Sequence, residues 1–236
     1  DGNEILENAK NKDTVLISYG DPYIATTHLE LKTRAMRDRI ETKTIHSSSI
    51  VSSLIGEVGL HYYKIGKVLT IMNDPKSMIT PYNTIFENLL SKTHSVILLE
   101  YNEDKSFFLE PKDALSLLLD AEKTQNRKVI SKETFAIVAS RIGKNSQQII
   151  SGNISNLIKS EFGEAPHSII IPGRLHFTEL DAVKTVTECL DEPTDNSADV
   201  KSISEQMIEK YVPMVRDALK EIKHHYENVK EYEDVL

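Results

Sequence analysis

The feature that most constrains this chain is a change of pattern after its first quarter. Up to about residue 60, short apolar runs alternate with helical spacing. The run "TVLIS" (14–18) is too short for a helix and almost wholly apolar, the mark of a buried parallel strand. A helix follows it. Thr27-x-x-Glu30 has the form of a capping box, and Ile24, His28, Leu31 and Ala35 recur at intervals of four, three and four, which puts His28 on the buried face or at its rim. "TKTIH" (42–46) repeats the strand signal, and "SSSIVSSLIGEVGL" (47–60) the helix signal. Such alternation predicts right-handed crossovers, a parallel sheet, and a ligand site beyond the carboxyl ends of the strands.

Beyond "YYKIGK" the spacing becomes mixed. Strands are expected at 67–72, 95–102, 106–110, 134–140 and 167–173, with helices at 82–92, 112–124 and 153–161. The runs 95–102 and 106–110, parted by Glu103, Asp104 and Lys105, read as a hairpin, so this half should form a mixed sheet. A helix over 177–190 starts at Thr178-x-x-Asp181, and "DEPTDNSAD" (191–199) ends it and reads as a linker. A last amphipathic segment uses Ile203, Met207, Tyr211, Met214, Ala218, Ile222, Tyr226 and Val229, with a kink at Pro213. Its regular stripe predicts a helix packed on its own chain or on a dimer partner.

Charge and composition exclude several functions. A net charge of −8 disfavours a nucleic-acid backbone as partner, and no apolar run reaches the roughly 18 residues of a membrane helix. The single cysteine, Cys189, rules out an internal disulfide and suits a reducing, cytoplasmic setting; it reads as a small apolar residue of the 177–190 helix. The first residues lack a basic stretch followed by an apolar one, so no signal peptide is expected there. The histidines have no metal-ligand spacing, His224 and His225 reading as solvated, and the chain has no GxGxxG, GxxxxGK[ST] or GxSxG motif.

Three places could carry chemistry. Asp21 stands between Gly20 and Pro22, on a rigid turn that aims its carboxylate either at backbone N–H groups or at a ligand's hydroxyl or amino group. Ser47, Ser48 and Ser49 open a helix, where exposed N–H groups favour an anion and one serine serves as the cap. His167 follows Pro166 directly before an apolar strand, where its imidazole can cap the backbone or meet a ligand. Residue types alone stop at an α/β ligand-binding protein of two domains.

"GDPYIATTHLEL", "IHSSSI", "GLHYYKIGK", "SRIGK" and "APHSIIIPGRLH" occur in this order over about residues 3–190. In this they resemble the diphthine synthases, above all the archaeal type, of the tetrapyrrole methylase superfamily. The resemblance implies an S-adenosylmethionine-dependent methyltransferase that modifies the amino group of an aminocarboxypropyl-histidine on translation elongation factor two. It implies two α/β domains, 1–64 with a parallel sheet and 65–190 with a mixed one, enclosing a ligand cleft, then 191–236 as linker and helical extension, and a homodimer. It places the donor against Asp21, Ile24, Ser49, Ile50, Leu99, Ile142 and His167; Ile142 stands where a smaller residue is common. It also implies an opening strand and a Gly-Leu-Gly loop with no counterpart before Asp1, so the sequence should begin in mid-domain, since half a parallel sheet exposes an edge. The loops holding "YGDPYIATTH", "HSSSI" and "PGRLH" should gather at one entrance, with Lys64, Lys67 and Arg174 as a docking patch. Other readings are a precorrin or porphyrin methyltransferase and a noncatalytic ligand-binding protein.

Overall fold

The computed structural model describes residues 2–102, 105–197 and 200–233. Its centre is a mixed sheet of six strands: β1 (Leu69–Ile71), β2 (Ser95–Leu99), β5 (Phe135–Ser140), β6 (Gln148–Asn153), β7 (His167–Ile171) and β8 (Glu188–Cys189), in spatial order β1-β2-β7-β5-β6-β8. β1 and β2 are parallel, as are β6 and β8; the other neighbours are antiparallel. The expected hairpin forms from β3 (Tyr101–Asn102) and β4 (Phe107–Phe108), paired Tyr101 to Phe108, while Glu103 and Asp104 of its turn lie outside the described residues.

The uninterrupted apolar strands follow from cover on both faces. Ala136, Val138, Ile97, Ile169 and Ile171 point to one side, where α4 (Ile79–Leu90) and α5 (Pro111–Gln125) contribute Tyr82, Phe86, Leu89, Leu115 and Leu118. Their alternates Phe135, Ile137, Ala139, Val96 and Ile170 point to the other, against Leu54 and Ile55 of α3 (Ile50–Glu57) and Val183 of α7 (Phe177–Val186). Remaining helices are α1 (Gly2–Ala9), α2 (His28–Arg37), α6 (Ile154–Leu157) and α8 (Ile203–Glu233).

The N-terminal quarter departs from expectation. Residues 14–18 and 42–46 belong to no ladder, and Val15, Ile17 and Ile45 are more than three-quarters exposed, at 81%, 89% and 81%. A parallel strand needs a neighbour for its amides and cover for its faces, and neither run finds them among the described residues. Two strands escaped the sequence reading: β6 is broken by polar residues and Gly152, and β8 has only two residues. Cys189 consequently lies exposed in β8 and not on a helix, its thiol donating to the Asp191 carbonyl at 3.0 Å. The linker segment is fastened to the body: Asp191 accepts from the Asn153 amide at 2.8 Å, and Asn196 donates to the carbonyls of Phe135 at 2.7 Å and Pro172 at 2.8 Å. Ala198 and Asp199 lie outside the described residues.

Candidate functional site

The Gly-Asp-Pro turn is closed by its own carboxylate. Gly20 takes the left-handed φ of 70° that only glycine adopts without strain, and Asp21 Oδ1 accepts from the Tyr23 amide at 2.9 Å. The other oxygen accepts from His46 Nδ1 at 2.7 Å and from the Ser47 amide at 3.4 Å, which joins the turn to the "HSSSI" segment. Backbone hydrogen bonding from Tyr23, then the His46 bond, hold the carboxyl below its ordinary pKa, so it is an anion at neutral pH. Asp21 is buried, whereas the His46 side chain is 67% exposed. Thr27 stands at the N-cap of α2 with φ −98° and ψ 9°, not the extended conformation usual for a cap, and its side chain makes no capping hydrogen bond. His28 sits at the rim, its Nδ1 3.2 Å from the Pro22 carbonyl.

Ser49 is the cap of α3: it is extended, buried, and accepts from the Val51 amide at 3.3 Å. Ile50 begins the helix 38% exposed, and Ile24 lies 44% exposed on the Asp21 turn. Two apolar side chains thus remain half open beside two polar residues whose geometry is settled.

Strand register assembles a second group. Ser140 stands opposite His167 and Leu98 opposite Ser168, so Leu99, the Arg141–Ile142 turn and His167 share one end of the sheet. Leu99 and Ile142 are partly buried, each against a different face of the core. His167 is buried; its Nδ1 is 2.8 Å from Ser140 Oγ, and its buried Nε2 has no hydrogen-bond partner. Burial, and secondarily the Arg141 charge, lower its pKa and keep the ring neutral. Glu110 lies 3.9 Å from Nε2 and Phe162 meets the ring edge-on. Ser140 was legible only as the one polar residue ending an apolar strand.

The "PGRLH" segment does not join these groups. β7 carries the chain from His167 to the far end of the sheet, where a Cβ on Gly173 would stand 2.5 Å from the Thr93 carbonyl oxygen, just ahead of β2. There Glu179, fully buried, accepts from the His61 amide at 2.9 Å, the His176 amide at 2.8 Å, His94 Nε2 at 3.0 Å and the Lys64 ammonium. Burial pushes its carboxyl up, but Lys64 and these donors outweigh that and hold it at about 2. His94 Nδ1 accepts from the Gly173 amide at 3.0 Å, which fixes the neutral tautomer that donates from Nε2. His176, not Thr178, caps α7, in a capping box with Glu179. Lys64 is held by Glu179 and the Arg174 carbonyl, and the exposed Lys67 pairs with Glu87 at 2.6 Å, while Lys64 and Arg174 both line one open pocket.

The family model of Tetrapyrrole (Corrin/Porphyrin) Methylases matches residues 3–158. The diphthine synthase of Methanococcus maripaludis strain C5 is 40% identical over 188 residues, 79% of this chain and 73% of that one. That of Methanocaldococcus jannaschii is 38% identical over 191 residues, covering 79% and 74%. A crystal structure of diphthine synthase superposes with a TM-score of 0.69 at 30% identity over 79% of this chain and 70% of that one. Identity of this extent over most of both sequences, on a shared mixed-sheet fold, means that the chain belongs to the diphthine synthase family of tetrapyrrole methylases.

Proposed function

We propose that this chain is an S-adenosylmethionine-dependent methyltransferase of diphthamide biosynthesis, acting on the amino group of the aminocarboxypropyl-histidine of elongation factor two. The observation that carries the reading is the match to diphthine synthases over 79% of this chain and 73% of theirs. Donor contacts fall to Asp21, Ile24, Ser49 and Ile50 from residues 1–64, and to Leu99, Ile142 and His167 from residues 65–190, the two portions acting as lobes of a cleft. The remainder, 191–236, is linker and helical extension. We assign the protein to the cytoplasm and to homodimers on the same family grounds; among the described residues no helix is long and apolar enough to cross a membrane.

The residues present suit such a donor. His167 keeps an unpartnered ring nitrogen inside the fold, and a buried polar atom without a partner is costly unless a ligand supplies one. Asp21 is an anion with acceptor capacity beyond its three bonds, fit for hydroxyl or amino groups. When bound, S-adenosylmethionine supplies a methyl group on a sulfonium, open to in-line displacement. The chain's part is positioning and exclusion of water: Ile24, Ile50, Leu99 and Ile142 offer apolar surface, while Asp21, Ser49 and His167 orient. The attacking amine reacts unprotonated, and no residue is assigned as its base.

The test offers isotopically labelled donor to elongation factor two carrying the aminocarboxypropyl intermediate, with unmodified factor and a precorrin as controls. Label is expected in the first alone. Label in the precorrin, or in none of the three, would overturn the reading.

A further inference from the structure

The apolar stripe of α8 is open to solvent at Val212, Val215 and Leu219, the side chains of Ile203, Met207, Tyr226 and Val229 lie outside the described residues, and nothing in the structure shows what covers it. A buried pair in the sheet is better defined. β5 lies between β7 and β6, and its last residue, Ser140, stands opposite His167 on one side and Gln148 on the other. Alternation along the two strands turns Ser140 and His167 to the face of Ala136, Val138, Ile169 and Ile171, which α4 and α5 cover. Neither side chain is exposed to solvent.

The 2.8 Å bond between Ser140 Oγ and His167 Nδ1 can be made in two ways. If Nδ1–H donates, the serine proton has no acceptor among the described residues, and the buried Nε2 is left as a bare lone pair. Two buried groups are then incomplete. If instead the hydroxyl donates to Nδ1, serine and Nδ1 are both satisfied, and only an Nε2–H remains without a partner. Each bond that a buried polar group fails to make is costly, so the second arrangement prevails. The field at Nε2 favours it as well. Glu110 Oε2 lies 3.9 Å away, too far for a hydrogen bond but near enough for its charge to prefer an N–H to a lone pair. The ring is neutral, held so by burial and then by the Arg141 charge, and one nitrogen therefore carries the proton. The Glu110 side chain is 43% exposed, which puts Nε2 just beneath the surface, within reach of a ligand.

We propose that Ser140 is a positioning residue: its hydroxyl fixes His167 in the tautomer protonated on Nε2, and that N–H donates to an acceptor atom of the methyl donor. The identity of the ligand rests on the methyltransferase reading above; the tautomer does not. An N–H at this place restricts what can meet it. A ring nitrogen of adenine, a ribose oxygen or the carboxylate can accept the bond, whereas the ammonium group and the exocyclic amine cannot.

Nitrogen-15 NMR of the full chain labelled in histidine, with His167→Gln to assign the signals, tests the tautomer before any ligand is added. In the wild type the proton should sit on Nε2, and Nδ1 should resonate as a hydrogen-bonded acceptor. A proton on Nδ1 would overturn the proposal. In Ser140→Ala the Nδ1 signal should move to the position of an unbonded ring nitrogen; an unmoved signal would overturn it too. Calorimetry with the demethylated donor, S-adenosylhomocysteine, then reads the consequence for binding. Affinity should fall about tenfold in Ser140→Ala and stay within about threefold of the wild type in Ser140→Thr, which keeps the hydroxyl. Equal affinity in Ser140→Ala and the wild type, or loss of the Nε2 proton when the wild type binds, would overturn the proposal. A wild type that binds no S-adenosylhomocysteine would instead sink the methyltransferase reading, and the ligand-free spectra would still decide the role of Ser140.

Discussion

Two carboxylates in this molecule take hydrogen bonds from an imidazole and from backbone amides, yet they differ in what is left over. Glu179 is sealed in, with two amides, the His94 ring and an ammonium around it. Asp21 makes three bonds, one to a histidine that is itself largely in solvent. The two buried histidines repeat the contrast: both ring nitrogens of His94 are used, and one of His167 is not. A charge whose acceptor sites are all taken serves the fold, since nothing further can bind without displacing a partner. Groups with acceptor or donor capacity left over are the ones a ligand can complete.

The sharpest way to break that comparison is Glu179→Ala. It leaves the Lys64 ammonium, the His94 N–H and two amides without their acceptor, and removal of one partner of a buried ion pair costs about 3–5 kcal/mol. Urea unfolding should show a loss of this size; a loss below about 1 kcal/mol would mean that the network does not hold the fold.

Asp21→Ala should act in the opposite manner. Affinity for S-adenosylmethionine or its demethylated product should fall roughly ten- to a hundredfold, while the loss of stability in urea, from the Tyr23 and Ser47 amides left without an acceptor, should stay smaller than in Glu179→Ala, at about 1–2 kcal/mol. Calorimetry showing unaltered affinity would return Asp21 to a purely local turn role.

Acid provides the smallest and most graded test. Glu179 is held at about 2 against an ordinary 4.5, so its folded pKa is depressed. Its contribution is complete above about 4.5 and is lost as pH falls from there toward 2. The full shift corresponds to about 3 kcal/mol, and because the Lys64 side chain is 21% exposed and keeps its end of the pair partly in solvent, the expected loss is about 1–2 kcal/mol. In Glu179→Gln this part of the acid sensitivity should vanish; an unchanged pH profile would locate the sensitivity elsewhere.

What could be read without coordinates was whatever depends on near neighbours in the chain. The central strands β2, β5 and β7 announced themselves because both faces are covered, which makes "FAIVAS" and "HSIII" apolar at every step or nearly so, whereas β6 and β8 did not. The Gly-Asp-Pro turn and the Ser49 cap were legible for the same reason, being settled within a few residues. Resemblance to a family supplied the list of donor contacts. Only the tertiary structure decided what depends on distant partners. Whether "TVLIS" becomes a strand depends on a neighbour to receive its hydrogen bonds, and the run alone looks the same with or without one. The register of β2, β5 and β7 brought Leu99, Ile142 and His167 to one end of the sheet and sent "PGRLH" to the other. Glu179, an unremarked helix residue in the sequence, became the hub of a buried network because residues 61, 64 and 94 converge on it from more than eighty positions away. Local signals set the elements, and the long-range contacts set which polar groups are completed and which are left open.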